Sequence, residues 1–183
     1  ILNLTPDSFS DGGKFNSSKK AVKRIKNMID AGADIIDVGG ESTRPGSKIV
    51  SQKNELKRVK FIVKNFKKKF PKTLLSIDTR KSKVMNFSLE NDVDIVNDVS
   101  CFQFDPVSFD TIKNKNVWKI IHHMQGTPQT MQNKPEYEDV VGEVCKYLTD
   151  KAINAKNQGV PEIWIDPGIG FGKTTEHNLA LIA

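Results

Sequence analysis

Short apolar runs rich in Ile, Val and Leu recur at Ile1–Leu4, Asp34–Val38, Thr73–Ile77, Asp94–Asn97, Val117–Ile121 and Glu162–Ile165, and each is read as a strand. Between them apolar residues fall at three- and four-residue intervals over Ser17–Ala31, Gln52–Phe70, Lys81–Glu90, Asp105–Asn114 and Tyr137–Gln158, which predicts helices. A further helical pattern is under way where the sequence stops at Ala183. Strands that are apolar on both faces and alternate with helices belong to a parallel sheet joined by right-handed crossovers. The architecture is therefore an α/β barrel or an open doubly wound sheet.

Polar residues decide between the two. Asn3 closes the first strand, Asp37 the second, Asp78 the third, Asn97 with Asp98 the fourth, His122 with His123 the fifth and Asp166 the sixth. An open sheet needs polar groups only at its switch point, whereas a barrel brings the carboxyl ends of all its strands to one mouth. The pattern favours a TIM (β/α)8 barrel, truncated here to about six βα units. A full barrel takes about 250 residues, so residues 1–183 are expected to be a single barrel domain that lacks strands 7 and 8 and a few residues before the first strand. The first and sixth strands would then face an open seam that exposes strand edges and core surface.

Composition changes little in this picture. With 183 residues, 37% hydrophobic, the chain can bury one sizeable core. No apolar run reaches the roughly 18 to 20 residues of a membrane helix, and Ile1–Asp11 lacks a signal-peptide layout, so a soluble cytoplasmic protein is expected. The net charge of +6 is concentrated in Lys53–Lys72, where cations alternate with Leu56, Val59, Ile62, Val63 and Phe66. That spacing describes a solvated helix face over an apolar stripe, so no nucleic-acid partner is expected. Cys101 and Cys145 have no CxxC or zinc-ligand spacing and read as inert buried thiols.

Two loops carry chemistry. Asn3-Leu4-Thr5-Pro6-Asp7-Ser8-Phe9-Ser10-Asp11-Gly12-Gly13 follows the first strand and is dense in turn formers and hydroxyls. Gly39-Gly40-Glu41-Ser42-Thr43-Arg44-Pro45-Gly46 follows the second. Its glycines admit close backbone approach, and Thr43 with Arg44 offers a hydroxyl and a planar bidentate donor suited to phosphate.

At these loops the sequence resembles the dihydropteroate synthases. The resemblance continues through Ser76-Ile77-Asp78-Thr79, Val96-Asn97-Asp98-Val99, His123-Met124-Gln125-Gly126-Thr127-Pro128 with Thr130-Met131-Gln132, and Asp166-Pro167-Gly168-Ile169-Gly170-Phe171-Gly172-Lys173. It spans the whole chain in order. It implies condensation of 6-hydroxymethyl-7,8-dihydropterin diphosphate with p-aminobenzoate to give 7,8-dihydropteroate and diphosphate in folate biosynthesis, the step that sulfonamides target. By resemblance Asp78 and Asp166 take the donor edge of the pterin, Asn97 reads its mixed edge, and Met124 and Phe171 wall the ring. Thr43 and Arg44 would hold the diphosphate, Asn3 would bind Mg2+ with Asp11 beside it, and Phe9 and Pro45 would touch p-aminobenzoate. Asp78, Arg44 and Asp11 are the expected catalytic residues, and a homodimer is implied for the full-length protein.

Of the adjacent histidines at most one can face the barrel interior. His123 matches the family motif, and His122 is expected to pack between strand and helix. His177 reads as a surface or capping residue, and Cys101-Phe102-Gln103-Phe104 receives no role. Two other readings share the barrel: a pterin-binding methyltransferase, which has no use for a diphosphate loop, and a barrel that only binds ligand. Taken alone, the 183 residues are expected to be unstable and inactive.

Overall fold

The structure, a computed structural model, describes residues 1–5, 14–42, 47, 49–127, 130–160 and 162–183, with the side chains of 14–17 left aside. Six strands alternate with six helices: β1 (Leu2–Asn3), α1 (Lys14–Asp30), β2 (Ile35–Gly39), α2 (Gln52–Lys69), β3 (Leu74–Asp78), α3 (Ser82–Leu89), β4 (Ile95–Asp98), α4 (Ser108–Ile112), β5 (Trp118–His122), α5 (Val140–Asn157), β6 (Trp164–Asp166) and α6 (Thr175–Ile182). All strand pairs are parallel and the spatial order is the chain order, β1 to β6. The chain thus forms six successive βα units of a TIM-type barrel. Most strands begin and end about one residue later than the apolar runs suggest, because the polar residue closing each run still pairs with its neighbour: Gly39 with Asp78, Asp78 with Asn97, His122 with Asp166.

The register sorts side chains to two faces. Ile36, Val38, Leu75, Ile77, Val96 and Ile121 point outward under the helices and are at most 1% exposed. They meet Ile25 of α1, Val59, Val63 and Phe66 of α2, Val84 and Met85 of α3, and Val144 and Leu148 of α5. Each such side chain is worth about 2 kcal/mol of burial. Helix α2 presents its lysines to solvent as expected, opens with Ser51 accepting from the Asn54 N–H, and ends on Lys67, Lys68 and Lys69, which suit the negative end of the helix dipole.

The opposite face lines the barrel interior, and there Ile35, Trp118 and Trp164 remain 41%, 43% and 55% exposed. The two indoles stack with centroids 5.1 Å apart. Outward-facing Ile165 on β6 is also exposed at 58%, and α6 buries none of its residues. Exposed apolar side chains are thus present on both faces of β6 and on the interior face of β5.

Two helices differ from expectation for tertiary reasons. Helix α4 is half the predicted length because Asp105 is used elsewhere: its carboxylate accepts from the Ser82 N–H, the Ser82 hydroxyl and Gln52, tying together the starts of α2, α3 and α4. Helix α5 starts three residues late because Asp139 caps it through the Gly142 N–H, and Tyr137 instead donates its hydroxyl to the Gly172 carbonyl at 2.7 Å. Cys145 lies exposed on α5, which corrects the expectation that both thiols are buried. Burial does hold for Cys101, whose thiol is pushed up to about 11 by desolvation. His177 forms a capping box with Thr174, in keeping with its expected role.

Candidate functional site

The interior-facing residues at the carboxyl ends of the strands make the site. Asn3, Gly39, Asp78 and Asn97 lie in one row, since Asn3 pairs with Gly39, Gly39 with Asp78 and Asp78 with Asn97. A Cβ on Gly39 would fit tightly, 3.3 Å from Asp78 Oδ2 and 3.6 Å from Asn3 Oδ1. The carboxylate and the amide oxygen thus converge over a bare backbone. His122 and Asp166 pair one step nearer the mouth, on β5 and β6.

Below this row Asp37 and Ser76 pair side by side. Burial raises the Asp37 carboxyl above its ordinary range, against a hydrogen bond from Ser76. Asp37 Oδ1 is buried with no partner. Burial also raises Asp78 well above its ordinary value, with the charges of Asp37, Asp98, Glu55 and Glu41 adding to the effect. Close carboxylates cannot all ionise cheaply in a desolvated place. A ligand that presents N–H donors would relieve them.

His122 and His123 exchange the roles expected of them. Interior positions on β5 are Trp118, Ile120 and His122, fixed by pairing with Trp164 and Asp166 on β6. His122 Nε2 lies 2.8 Å from Asn97 Oδ1, Nδ1 lies 3.7 Å from Asp166 Oδ2, and the ring is tilted against Phe171 with centroids 5.9 Å apart. His123 points the other way, edge-on to Tyr147 of α5 at 4.9 Å. Its Nδ1 meets Lys173 Nζ at 3.0 Å, and burial plus that cation lower it to about 4.

Asp166 and the following loop are held from beneath. Asp166 Oδ1 accepts from the Gly168 N–H at 2.7 Å. Lys173 is 4% exposed and donates to the carbonyls of Gly168 at 3.0 Å and Phe171 at 2.9 Å, while burial lowers it to about 8. Gly168 has φ +70°, and a Cβ there would come 1.9 Å from the His123 carbonyl oxygen. The loop is therefore a rigid bracket that presents Asp166 and partly buried Phe171 to the mouth. Met124 is partly buried in the loop after β5.

Outside the row lies an ion cluster that sequence reasoning missed. Glu41, Glu55, Thr79, Arg80 and Lys81 are all buried. Arg80 reaches Glu41 at 2.8 Å, Lys81 reaches Glu41 at 3.0 Å and also pairs with Glu55, and Thr79 donates to Glu55. Although burial works the other way, hydrogen bonds from the Val50 N–H, Arg80 and Lys81 hold the Glu41 carboxyl below its ordinary range. The one signal available was Glu55, a lone acid among the lysines of α2 on its buried stripe with Val59 and Phe66. Phe9, Asp11, Thr43, Arg44 and Pro45 lie outside the described residues. Among the described residues no helix is long and apolar enough to cross a membrane, and no group of three or more His, Cys, Asp or Glu side chains is placed to hold a metal ion.

Comparison with known proteins agrees with this fold. A family model described as pterin binding enzyme matches residues 1–183. The dihydropteroate synthase of Synechocystis sp. is 44% identical over 184 residues, covering 100% of this chain and 63% of that protein. The Escherichia coli dihydropteroate synthase is 43% identical over 185 residues, covering 100% of this chain and 65% of its own length. The chain thus spans a little under two thirds of these relatives. Among solved structures, the Yersinia pestis dihydropteroate synthase with a sulfonamide drug complex superposes with TM-score 0.90 at 37% identity, covering all of this chain and 66% of that one. The Xanthomonas albilineans dihydropteroate synthase with 4-aminobenzoic acid gives TM-score 0.89 at 36% identity, covering 100% of this chain and 64% of that one.

Proposed function

We propose, since the chain belongs to the pterin-binding enzyme family, that residues 1–183 are the pterin-binding barrel domain of a cytoplasmic dihydropteroate synthase. The observation that carries this reading is the set of carboxylates facing the barrel interior, Asp37 and Asp78 on neighbouring strands and Asp166 at the end of β6, which matches a flat heterocycle with a donor-rich edge. Asp78 and Asp166 take those donors, Asn97 reads the adjoining edge, and Phe171 and Met124 wall the ring. Thr43 and Arg44 bind the diphosphate, while Phe9 and Pro45 meet p-aminobenzoate.

The reaction is substitution at the exocyclic methylene carbon. The carbon–oxygen bond to diphosphate breaks with its electron pair, the arylamine nitrogen bonds to carbon, and the amine loses a proton. The ionised Asp78 carboxylate stabilises positive charge on the pterin as diphosphate departs, which favours early departure, and Arg44 and Asp11 act at the diphosphate end. Asn3 Oδ1 opens into the mouth beside Asp78 and is a hard amide ligand, which fits Mg2+ completed by diphosphate and water. When bound, that ion supplies charge neutralisation to the leaving group. In this reading the full-length protein works as a homodimer and, like the Yersinia pestis relative solved with a sulfonamide drug, takes sulfonamides, at the p-aminobenzoate position.

The test is an assay of dihydropteroate formation and diphosphate release by the full-length polypeptide that carries this chain, with Arg44→Ala and Asp78→Ala alongside. Activity that falls by about a thousandfold in both variants supports the synthase. Pterin binding without diphosphate release points to a methyltransferase or a binding barrel instead.

A further inference from the structure

Among the polar groups at the mouth, His122 has no task in the reaction as described, and what surrounds it is mostly acceptors. It is 8% exposed. Nε2 faces the Asn97 amide oxygen at 2.8 Å, and since an amide oxygen only accepts, Nε2 carries the proton and Nδ1 presents a lone pair. Nδ1 is buried without a partner, 3.7 Å from Asp166 Oδ2. Asp37 of β2 adds negative charge nearby, with its own Oδ1 buried and unpartnered. The cation in reach, Lys173 of the loop before α6, is engaged by His123 and by the carbonyls of Gly168 and Phe171. Lone pairs thus face one another across a gap that an N–H donor can bridge.

We infer that His122 is a specificity residue for the pterin: its Nδ1 and the Asp166 carboxylate together accept the amino edge of the ring, while Nε2–H holds the Asn97 oxygen so that the Asn97 NH2 is turned to a ring acceptor. The inference rests on the pterin reading above. A purely structural His122 would carry a proton on both nitrogens and donate to Asn97 and Asp166. Burial opposes that state by lowering the ring below its ordinary range, Lys173 adds to the effect, and Asp166 and Asp37 work against it. As pH falls and the ring protonates, its new N–H turns to Asp166 and two acceptors are lost to the ligand. Pterin affinity therefore falls with pH in the wild type.

The experiment measures equilibrium binding of 6-hydroxymethylpterin, and of its analogue with oxygen in place of the 2-amino group, to the full-length polypeptide between about pH 5.5 and 8, a range that brackets the ordinary histidine value. His122→Asn keeps an acceptor where Nδ1 lies, and His122→Gln keeps a donor toward Asn97. His122→Asn, which gives up only the hold on Asn97, is expected to lose about threefold and keep its preference for the amino compound, while His122→Gln loses about tenfold and much of that preference. The 15N resonance of His122 Nδ1 should move from a free to a hydrogen-bonded pyridine type when pterin binds. Equal affinity and selectivity in His122→Gln and wild type, or an Nδ1 already protonated and unmoved by ligand, overturns the inference. A wild-type protein that binds neither compound refutes the pterin reading beneath it, and is thereby told apart.

Discussion

Two groups of buried charge stand at the carboxyl ends of β2 and β3, and they differ in one respect. In the outer cluster each acid has a partner: Glu41 meets Arg80 and Lys81, and Glu55 meets Lys81 and Thr79. In the barrel interior Asp37 and Asp78 stand together with no ion pair among the described residues: Asp37 Oδ1 is buried and unpartnered, and the Asp37 charge adds to burial in raising Asp78. The first cluster has its Glu41 carboxyl held low, and the second is pushed high. Burial is common to both, so burial does not separate structure from function here. Whether the acid is satisfied by the protein itself does.

The sharpest way to break this comparison is to unpair the outer cluster. Lys81→Met leaves Glu55 buried without its cation and is expected to cost about 3–5 kcal/mol in urea unfolding of the full-length polypeptide. A loss under about 1 kcal/mol, the range of exposed pairs, would show that the cluster is not what closes this corner.

Asp98 supplies an intermediate case. It is fully buried and accepts from the Ser100 N–H, the Ser100 hydroxyl and the Phe102 N–H, yet burial still raises it to about 6. Its folded value lies above its unfolded one, so its contribution to stability is complete below about pH 4 and is lost as pH rises through about 6. The difference in unfolding free energy between wild type and Asp98→Asn should therefore shift by roughly 3 kcal/mol in favour of wild type between pH 7.5 and pH 4. The difference, rather than the wild type alone, is needed because His123, lowered to about 4, loses stability over the same interval. A flat difference would mean that Asp98 titrates normally.

The smallest effect sharpens the comparison from the interior. Asp78→Asn removes a repulsion with Asp37, so stability at pH 8 should hold or rise, by about 1 kcal/mol. Affinity for 6-hydroxymethylpterin should drop by about 100-fold, the worth of a charged hydrogen bond. In wild type, binding should also release a proton from Asp78, visible as a dependence of the calorimetric enthalpy on the buffer. Lost stability together with intact binding would move Asp78 into the structural group.

Much of this was legible along the chain. The alternation of double-faced apolar runs with helical periods was enough for a parallel α/β barrel, because burying a strand on both faces leaves few other solutions. The strand-end residues Asn3, Asp78, Asn97 and Asp166 were visible because a polar residue closing an apolar run has little reason to be there except a site. The outer ion cluster was not, since Glu41, Glu55, Arg80 and Lys81 are ordinary surface types until the chain brings α2 against the ends of β2 and β3.

Local sequence thus determined which segments are strands and helices, their parallel order, and the ring of polar strand ends, all consequences of period and composition acting over a few residues. Tertiary structure alone decided which of His122 and His123 looks inward, because the face of each strand residue depends on register with β4 and β6, and a shift of one residue inverts it. It also decided which buried charges are paired, because pairing depends on distances between side chains tens of residues apart.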